Sequence, residues 1–117
     1  MITTTIFPGR YVQGAGVLKT LGEEAARFGS KALLLADPFV FDTMLPTFRD
    51  DVAEDIDIGV EAFSGECSDE EIERLAGVAR EGGYDIIVGI GGGKTLDTAK
   101  AVAYTIDTPV VIAPTLA

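Results

Sequence analysis

A run of three glycines, Gly91 to Gly93, followed by Lys94 and Thr95, is the part of the sequence best suited to chemistry. An apolar segment at 86–90 precedes it and a helix-forming segment follows, so the glycines stand at a strand-to-helix turn. Glycines let the backbone approach an anion, and the first amides of a helix point at it with the positive end of the dipole behind them. Lys94 adds a mobile positive charge. The segment predicts a site for a phosphate-bearing ligand; the alternative is a tight turn without a ligand.

Two common phosphate-binding motifs nearly match this segment, and neither fits. A dinucleotide fingerprint G-x-G-x-x-G that starts at Gly89 would need glycine at the position of Lys94. A Walker A loop that ends in Lys94-Thr95 would need glycine at Val88, but the glycine is one residue later. Because a shorter loop has fewer amides to enclose a triphosphate, the pattern favours a diphosphate or dinucleotide over an NTPase site.

Three further polar residues could contact the same ligand. Asp37 ends a buried strand, at the edge where open α/β sheets bind ligands, and its carboxylate suits the two ribose hydroxyls of an adenosine. The same residue is an equally good N-cap for a helix that begins at Pro38. Asp97 lies one helical turn after Lys94 and could hold it in place, or belong to an ordinary charged helix surface. Thr115, after the last strand, could offer a hydroxyl.

The composition excludes several classes of chemistry. The chain has no histidine and one cysteine, Cys67, which excludes a Cys/His zinc site, a Ser-His or Cys-His nucleophile pair and an intrachain disulfide. The net charge of −10 opposes nucleic-acid phosphates, so no nucleic-acid partner is expected. No apolar run approaches the ~20 residues that span a bilayer, and no signal-peptide pattern is present. The sequence therefore predicts a cytoplasmic protein without a membrane partner.

Hydrophobic runs and turn residues predict alternating strands and helices. Pro8-Gly9 separates two short β-prone segments, which indicates a hairpin at the edge of a sheet. Ser68 and Glu71 form a capping box at the start of one helix, and Glu70 and Arg74 are predicted to pair on its outer surface. The predicted strands span residues 3–7, 10–13, 31–36, 58–63, 86–90 and 109–113; the predicted helices span 17–28, 38–48, 68–81 and 95–104.

This order of elements predicts a Rossmann-like α/β fold, with a doubly wound, mostly parallel sheet, helices on both faces and N-terminal edge strands. Pro46 predicts a kink or an early end in the second helix. The acidic stretch 50–57 predicts an exposed connection with no buried face. At 117 residues the chain is large enough for one domain, and because it stops directly after a strand we expect a truncated part of a longer protein.

The segment VGIGGGKTLDTAKAVA, residues 88–103, resembles the cofactor loop of the group III, iron-type alcohol dehydrogenase superfamily. Lysine in place of the usual serine, as at Lys94, resembles the glycerol dehydrogenase branch. Three further segments support the resemblance: PGRYVQGAG at 8–16, FSGECSDEEIERL at 63–75 and PVVIAPTLA at 109–117. Together they cover nearly the whole chain in one register.

The resemblance implies that residues 1–117 form an NAD-binding domain. In that superfamily a C-terminal helical domain carries zinc or another divalent metal, which polarises the alcohol oxygen while hydride passes to the nicotinamide. It also implies cofactor-binding roles for six residues: Asp37 at the adenine ribose, Gly92, Gly93 and Lys94 at the pyrophosphate, Asp97 in support of that loop, and Thr115 near the nicotinamide half. The catalytic and metal-binding residues would lie in the absent helical domain.

The function expected from this resemblance is oxidation of glycerol, or a related polyol, with NAD to dihydroxyacetone and NADH. The chain alone is expected to be inactive, and the full-length parent is expected to be a homo-oligomer. Three alternatives stay open: a fragment of an sn-glycerol-1-phosphate dehydrogenase, a nucleotide-binding module without catalysis, and a small P-loop-like phosphotransferase. The short glycine loop disfavours the last of these.

Overall fold

The computed structural model describes residues 3–6, 10–13, 21–38, 42, 50 and 53–114. These residues form six strands and three helices of four or more residues. In chain order they are β1 Thr3–Ile6, β2 Arg10–Gln13, α1 Leu21–Ala26, β3 Lys31–Ala36, β4 Asp57–Ala62, α2 Asp69–Gly82, β5 Ile86–Gly91, α3 Gly93–Ile106 and β6 Val110–Pro114.

The strands form one sheet in the order β1-β2-β6-β5-β3-β4. β1 and β2 pair antiparallel as a hairpin at one edge, and every other neighbouring pair is parallel. The mostly parallel sheet and the N-terminal edge strands are therefore confirmed. β3 and β5 are interior strands of the sheet, and β5 is buried along its whole length. Their uninterrupted apolar sequences follow from this position, because both faces of a central parallel strand are covered.

Helices cover both faces of the sheet, as the sequence predicts. Alternate residues of β3 divide between two cores: Leu34 packs with Ala25 of α1 on one face, while Leu33 and Leu35 pack with α2 and α3 on the other. This division follows from the two-residue period of a strand. Among the described residues, no helix is both long and apolar enough to cross a membrane.

The connection before β4 differs from its prediction. Residues 53–55 are helical, and Ile56 is only 5% exposed, packed in the same core as Leu34. The prediction of no buried face at 50–57 is therefore wrong at this residue, because scattered apolar side chains among acidic ones give no periodic signal. Residues 39–41 and 43–49, which include the predicted kink at Pro46, lie outside the described residues.

The start of α2 confirms one half of the predicted capping box. Ser68 is the N-cap, and its Oγ accepts a hydrogen bond from the backbone N–H of Glu71 at 3.2 Å. The Glu71 carboxylate, however, accepts from the Ser64 N–H at 2.8 Å and from Arg74 Nε at 2.7 Å. Arg74 also contacts Glu61 of β4 at 3.2 Å. The predicted pair of Glu70 with Arg74 is therefore wrong, because Glu71 and Glu61 occupy the guanidinium instead.

This arrangement changes the acidity of Glu71. The hydrogen bond from Arg74 is the largest cause and lowers the pKa; burial opposes it, and the Ser64 N–H adds to it, so that the pKa of Glu71 falls from 4.5 to about 2. The same pair raises the pKa of Arg74. Glu71 is 6% exposed while the Arg74 side chain is 45% exposed, so solvent screens the interaction only in part. The ionised carboxylate fixes the β4–α2 connection to α2.

Asp85 joins the beginnings of β3 and β5. Its carboxylate accepts from the Lys31 N–H at 2.8 Å and from the Ser30 N–H and Oγ at 2.9 Å. Burial alone would raise the pKa of Asp85, but these donors outweigh burial and lower it. Gly29 lies against the same carboxylate, since a Cβ there would be 2.5 Å from Asp85 Oδ1. Asp85 therefore stabilises the first residues of two neighbouring strands, β3 and β5.

The Asp85→Ala substitution is expected to lower the free energy of unfolding by about 2 kcal/mol, because it leaves two backbone N–H groups and a hydroxyl without their acceptor. Urea denaturation followed by circular dichroism measures the change. Glu81→Ala, at an exposed position near the end of α2, is the control and should change stability little. An Asp85→Ala variant as stable as the control would contradict the assigned role.

Acid titration of stability tests the Glu71 interaction. Because the folded-state pKa of about 2 lies below the ordinary value of 4.5, the contribution of Glu71 is fully present above about pH 4.5 and is lost as the pH falls toward 2. Its size is on the order of 2 kcal/mol. In Glu71→Gln this part of the pH dependence should disappear. An identical acid-unfolding slope in the two proteins would refute the interaction.

Candidate functional site

The glycine segment forms the turn between β5 and α3 at the carboxyl edge of the sheet. β5 ends at Gly91, Gly92 is the N-cap of α3, and the helix begins at Gly93. Gly92 makes no side-chain cap bond, and its carbonyl accepts the first helical hydrogen bond, from the Leu96 N–H at 3.0 Å. The first amides of α3 therefore have no side-chain acceptor from their own N-cap, which is the arrangement that anions use at helix N-termini.

The space beside this turn is open. Within the described parts of the chain, a Cβ built on Gly92 or Gly93 would meet no heavy atom within 4 Å. A side chain at either position would occupy that space, so the two glycines keep the backbone accessible to a ligand. The geometry fits the predicted pyrophosphate role of both residues, which stays a prediction.

Gly91 has a different constraint. Its φ is +150°, a conformation that side chains rarely adopt, and a Cβ there would lie 2.7 Å from Asp37 Oδ2 and 3.0 Å from Thr95 Oγ1. Only glycine lets the three groups come together. The pairing of β3 with β5, in which Ala36 stands opposite Ile90, places Asp37 at this point. The structure thus brings the predicted ribose-binding carboxylate next to the predicted phosphate-binding turn.

Close packing between β5 and α3 fixes the position of the helix start. A Cβ on Gly89 would lie 2.6 Å from the Cβ of Ala99, so the helix approaches the strand more closely than any larger residue would permit. Thr95 is 2% exposed, and Thr98 is buried with its Oγ1 donating to the Lys94 carbonyl at 2.8 Å. Buried contacts on the side of α3 that faces the sheet therefore orient its exposed N-terminus.

Lys94 points into the solvent at this edge, with 67% of its side chain exposed. Its Nζ lies 3.5 Å from Glu66 Oε1, in the connection between β4 and α2. In the part of the chain that the structure describes, Lys94 pairs with Glu66 rather than with Asp97, which is exposed on α3. The supporting role of Asp97 stays a prediction, and Thr115 lies outside the described residues.

Sequence reasoning assigned no role to Glu66 or to the contact of Thr95 with Gly91. Glu66 belongs to the segment 63–75 that carried part of the resemblance, but a surface glutamate in a loop gives no sign of the cation it will meet. The described residues contain no group of three or more histidine, cysteine, aspartate or glutamate side chains arranged to hold a metal ion. The described part of the chain therefore brings the predicted phosphate and ribose contacts together but contains no such group of metal ligands.

Comparison with known proteins gives a family match over most of the chain. The iron-containing alcohol dehydrogenase family matches residues 8–117. A glycerol dehydrogenase of Thermotoga maritima is 56% identical over 117 residues, which are 100% of this chain and 32% of the relative. A glycolaldehyde reductase of Halobacterium salinarum is 44% identical over 97% of this chain and 32% of its own length.

A solved structure, a probable glycerol dehydrogenase from Sinorhizobium meliloti 1021, superposes with a TM-score of 0.77 and 45% identity. The match covers 89% of this chain and 28% of that one. The chain thus spans about a third of the length of the curated relatives it matches. Because the family match extends over almost all of its residues and the fold agrees with that of a solved relative, the chain belongs to the iron-containing alcohol dehydrogenase family.

Proposed function

We propose that this chain is the NAD-binding part of a polyol dehydrogenase that oxidises glycerol to dihydroxyacetone. The observation that carries the proposal is the contact between Asp37 and the glycine turn, with Asp37 Oδ2 2.7 Å from the Cβ position of Gly91. The Asp37 carboxylate, which could accept hydrogen bonds from ribose hydroxyls, thereby lies beside the N-terminus of α3, which could bind a phosphate. The identity to glycerol dehydrogenases supports the choice of substrate.

The residues divide the dinucleotide between them. The backbone of Gly92 and Gly93 at the start of α3 donates to the pyrophosphate, and the Lys94 ammonium adds charge-assisted contact. The Asp37 carboxylate accepts from the two hydroxyls of the adenine ribose. Asp97 supports the loop, and Thr115 meets the cofactor nearer its nicotinamide. When bound, NAD supplies the ring that accepts hydride from the carbinol carbon.

The metal and the substrate require residues outside this chain's described part. A carbonyl or alcohol oxygen is polarised by a divalent ion held by three or more protein ligands, and the described residues contain no such group. We therefore propose that residues 1–117 form the dinucleotide-binding domain of a larger enzyme, whose helical domain binds zinc or another divalent metal and glycerol. The full enzyme is proposed to be a homo-oligomer, and this chain alone to be inactive.

A titration of the chain into NADH tests the proposal, followed by the fluorescence anisotropy of the cofactor itself, because the chain contains no tryptophan. NAD and ATP serve as competitors. Saturable binding that NAD displaces and ATP does not would support a dinucleotide site. Equal displacement by ATP would favour a general nucleotide module, and absence of binding would contradict a self-sufficient site.

Lys94→Ala is expected to weaken NADH binding about tenfold, because an ammonium–phosphate contact in partly exposed surroundings contributes about 1.4 kcal/mol. The thermal midpoint should not change, since the side chain is exposed and its ion pair with Glu66 lies on the surface. The matched control is Arg80→Gln, which removes one positive charge from the last turn of α2. Unchanged affinity in Lys94→Ala would sink the role given to the lysine.

Asp37→Asn separates the two possible roles of this residue. Asparagine is as good an N-cap as aspartate, so a helix that depends on the cap keeps its stability. The amide is a weaker acceptor for two ribose hydroxyls, and NADH affinity should fall about tenfold. Inorganic pyrophosphate, which has no ribose, should bind the variant no more weakly than it binds the wild type. An equal loss for both ligands would mean that Asp37 acts by shaping the turn.

A further inference from the structure

The connection between β4 and α2, residues 63–68, reaches the proposed cofactor edge from the side. Its first N–H, that of Phe63, donates to the carbonyl of Ala36 at 2.8 Å, and the Phe63 side chain is 2% exposed. This bond attaches the connection to the end of β3, next to Asp37. The connection therefore lies beside the glycine turn.

Both ends of this connection are held by hydrogen bonds, and its middle is exposed. The Glu71 carboxylate holds the Ser64 N–H at one end, and Ser68 caps α2 at the other. Gly65 turns the chain with φ +107°, and Glu66 and Cys67 are exposed. A well-anchored loop thus presents Glu66 toward the start of α3, where its carboxylate lies 3.5 Å from Lys94 Nζ.

The negative charge of the Glu66 carboxylate opposes the binding of a phosphate, so its position beside the proposed site needs an explanation. The positive end of the α3 dipole and Lys94 both favour a bound anion. The Glu66 carboxylate offsets part of the positive potential of Lys94 and repels a phosphate that binds nearby. The pair is exposed on both sides, 67% and 78%, so it contributes little to stability and is easily exchanged. We therefore look for the effect of the Lys94–Glu66 pair in ligand binding rather than in stability.

We infer that Glu66 is a positioning residue that holds Lys94 in the free protein and competes with the dinucleotide pyrophosphate for it. The inference rests on the proposed function, because the turn must accept a phosphate for the competition to occur. On binding, Lys94 passes from the carboxylate to the phosphate, and on release it returns. Glu66 thereby weakens cofactor binding, which suits an enzyme that must release NADH after each turnover.

The test compares Glu66→Gln with the wild type for two probes, NADH and inorganic pyrophosphate. Removal of the competing charge is expected to tighten binding of both about threefold, the size of an exposed ion pair. The gain should shrink at 1 M salt, where the screening length is about 3 Å. Glu81→Gln removes the same charge from the far end of α2 and should leave both affinities unchanged. The thermal midpoint of Glu66→Gln should equal that of the wild type.

A double-mutant cycle decides whether Glu66 acts through the lysine. In a Lys94→Ala background the gain from Glu66→Gln should be much smaller, since no ammonium remains to be released and only direct repulsion between the carboxylate and the phosphate is removed. An undiminished gain there, or weaker binding in Glu66→Gln alone, would overturn the inference. If wild type and Glu66→Gln bind NADH equally, the inference fails while the proposed function stands.

The pyrophosphate arm separates the remaining outcomes. If no variant binds NADH but pyrophosphate binds with the lysine-dependent gain, the competition of Glu66 for Lys94 holds for a phosphate ligand, and the proposed dinucleotide function fails. If neither ligand binds to any of the proteins, both are overturned.

Discussion

The pairing of β3 with β5 is the constraint on which the candidate site depends. The parallel register places Ala36 opposite Ile90, so the next residue on each strand, Asp37 and Gly91, must meet. Neither residue could be positioned by its own segment, since they are far apart in the chain. Buried apolar contacts on both faces hold the two strands in that register, because a shift by one residue would turn every core side chain to the opposite face. The chemistry at the edge is therefore positioned by the core below it.

Glycine then determines how closely the groups at this edge can approach. Gly89 allows α3 to lie against β5, and Gly91 adopts a positive φ that leaves room for Asp37 and Thr95. The two following glycines have no close neighbours within the described residues, so packing does not require them. Ordering glycine costs more backbone entropy than ordering any other residue. Close packing explains the cost at Gly89 and Gly91; at Gly92 and Gly93 the explanation that we propose is a bound ligand.

Those features that depend on neighbouring residues could be predicted from the sequence. The strand, glycine turn and helix predicted over 86–104 and the Ser68 cap follow from local patterns, although the helix begins earlier than predicted, at Gly93. The same reasoning placed Asp37 at the correct edge, because carboxyl ends of parallel strands meet there. Interactions that join distant segments could not be predicted: Asp85 reaches Lys31 across 54 positions, and Ile56 is buried by a sheet that its own acidic neighbours do not indicate.

The acidic side chains show why such contacts decide function as well as stability. Glu71 and Glu66 lie five positions apart at the same loop and look alike in the sequence. Glu71 is buried, holds Arg74 at 2.7 Å and fixes the loop. Glu66 is exposed and meets Lys94 at 3.5 Å in a pair that solvent screens. The first interaction is the stronger because the Glu71 carboxylate is buried, and it anchors the loop through the Ser64 N–H. The second is weak enough for a ligand to replace, and it acts at the site only because the first holds the loop in place.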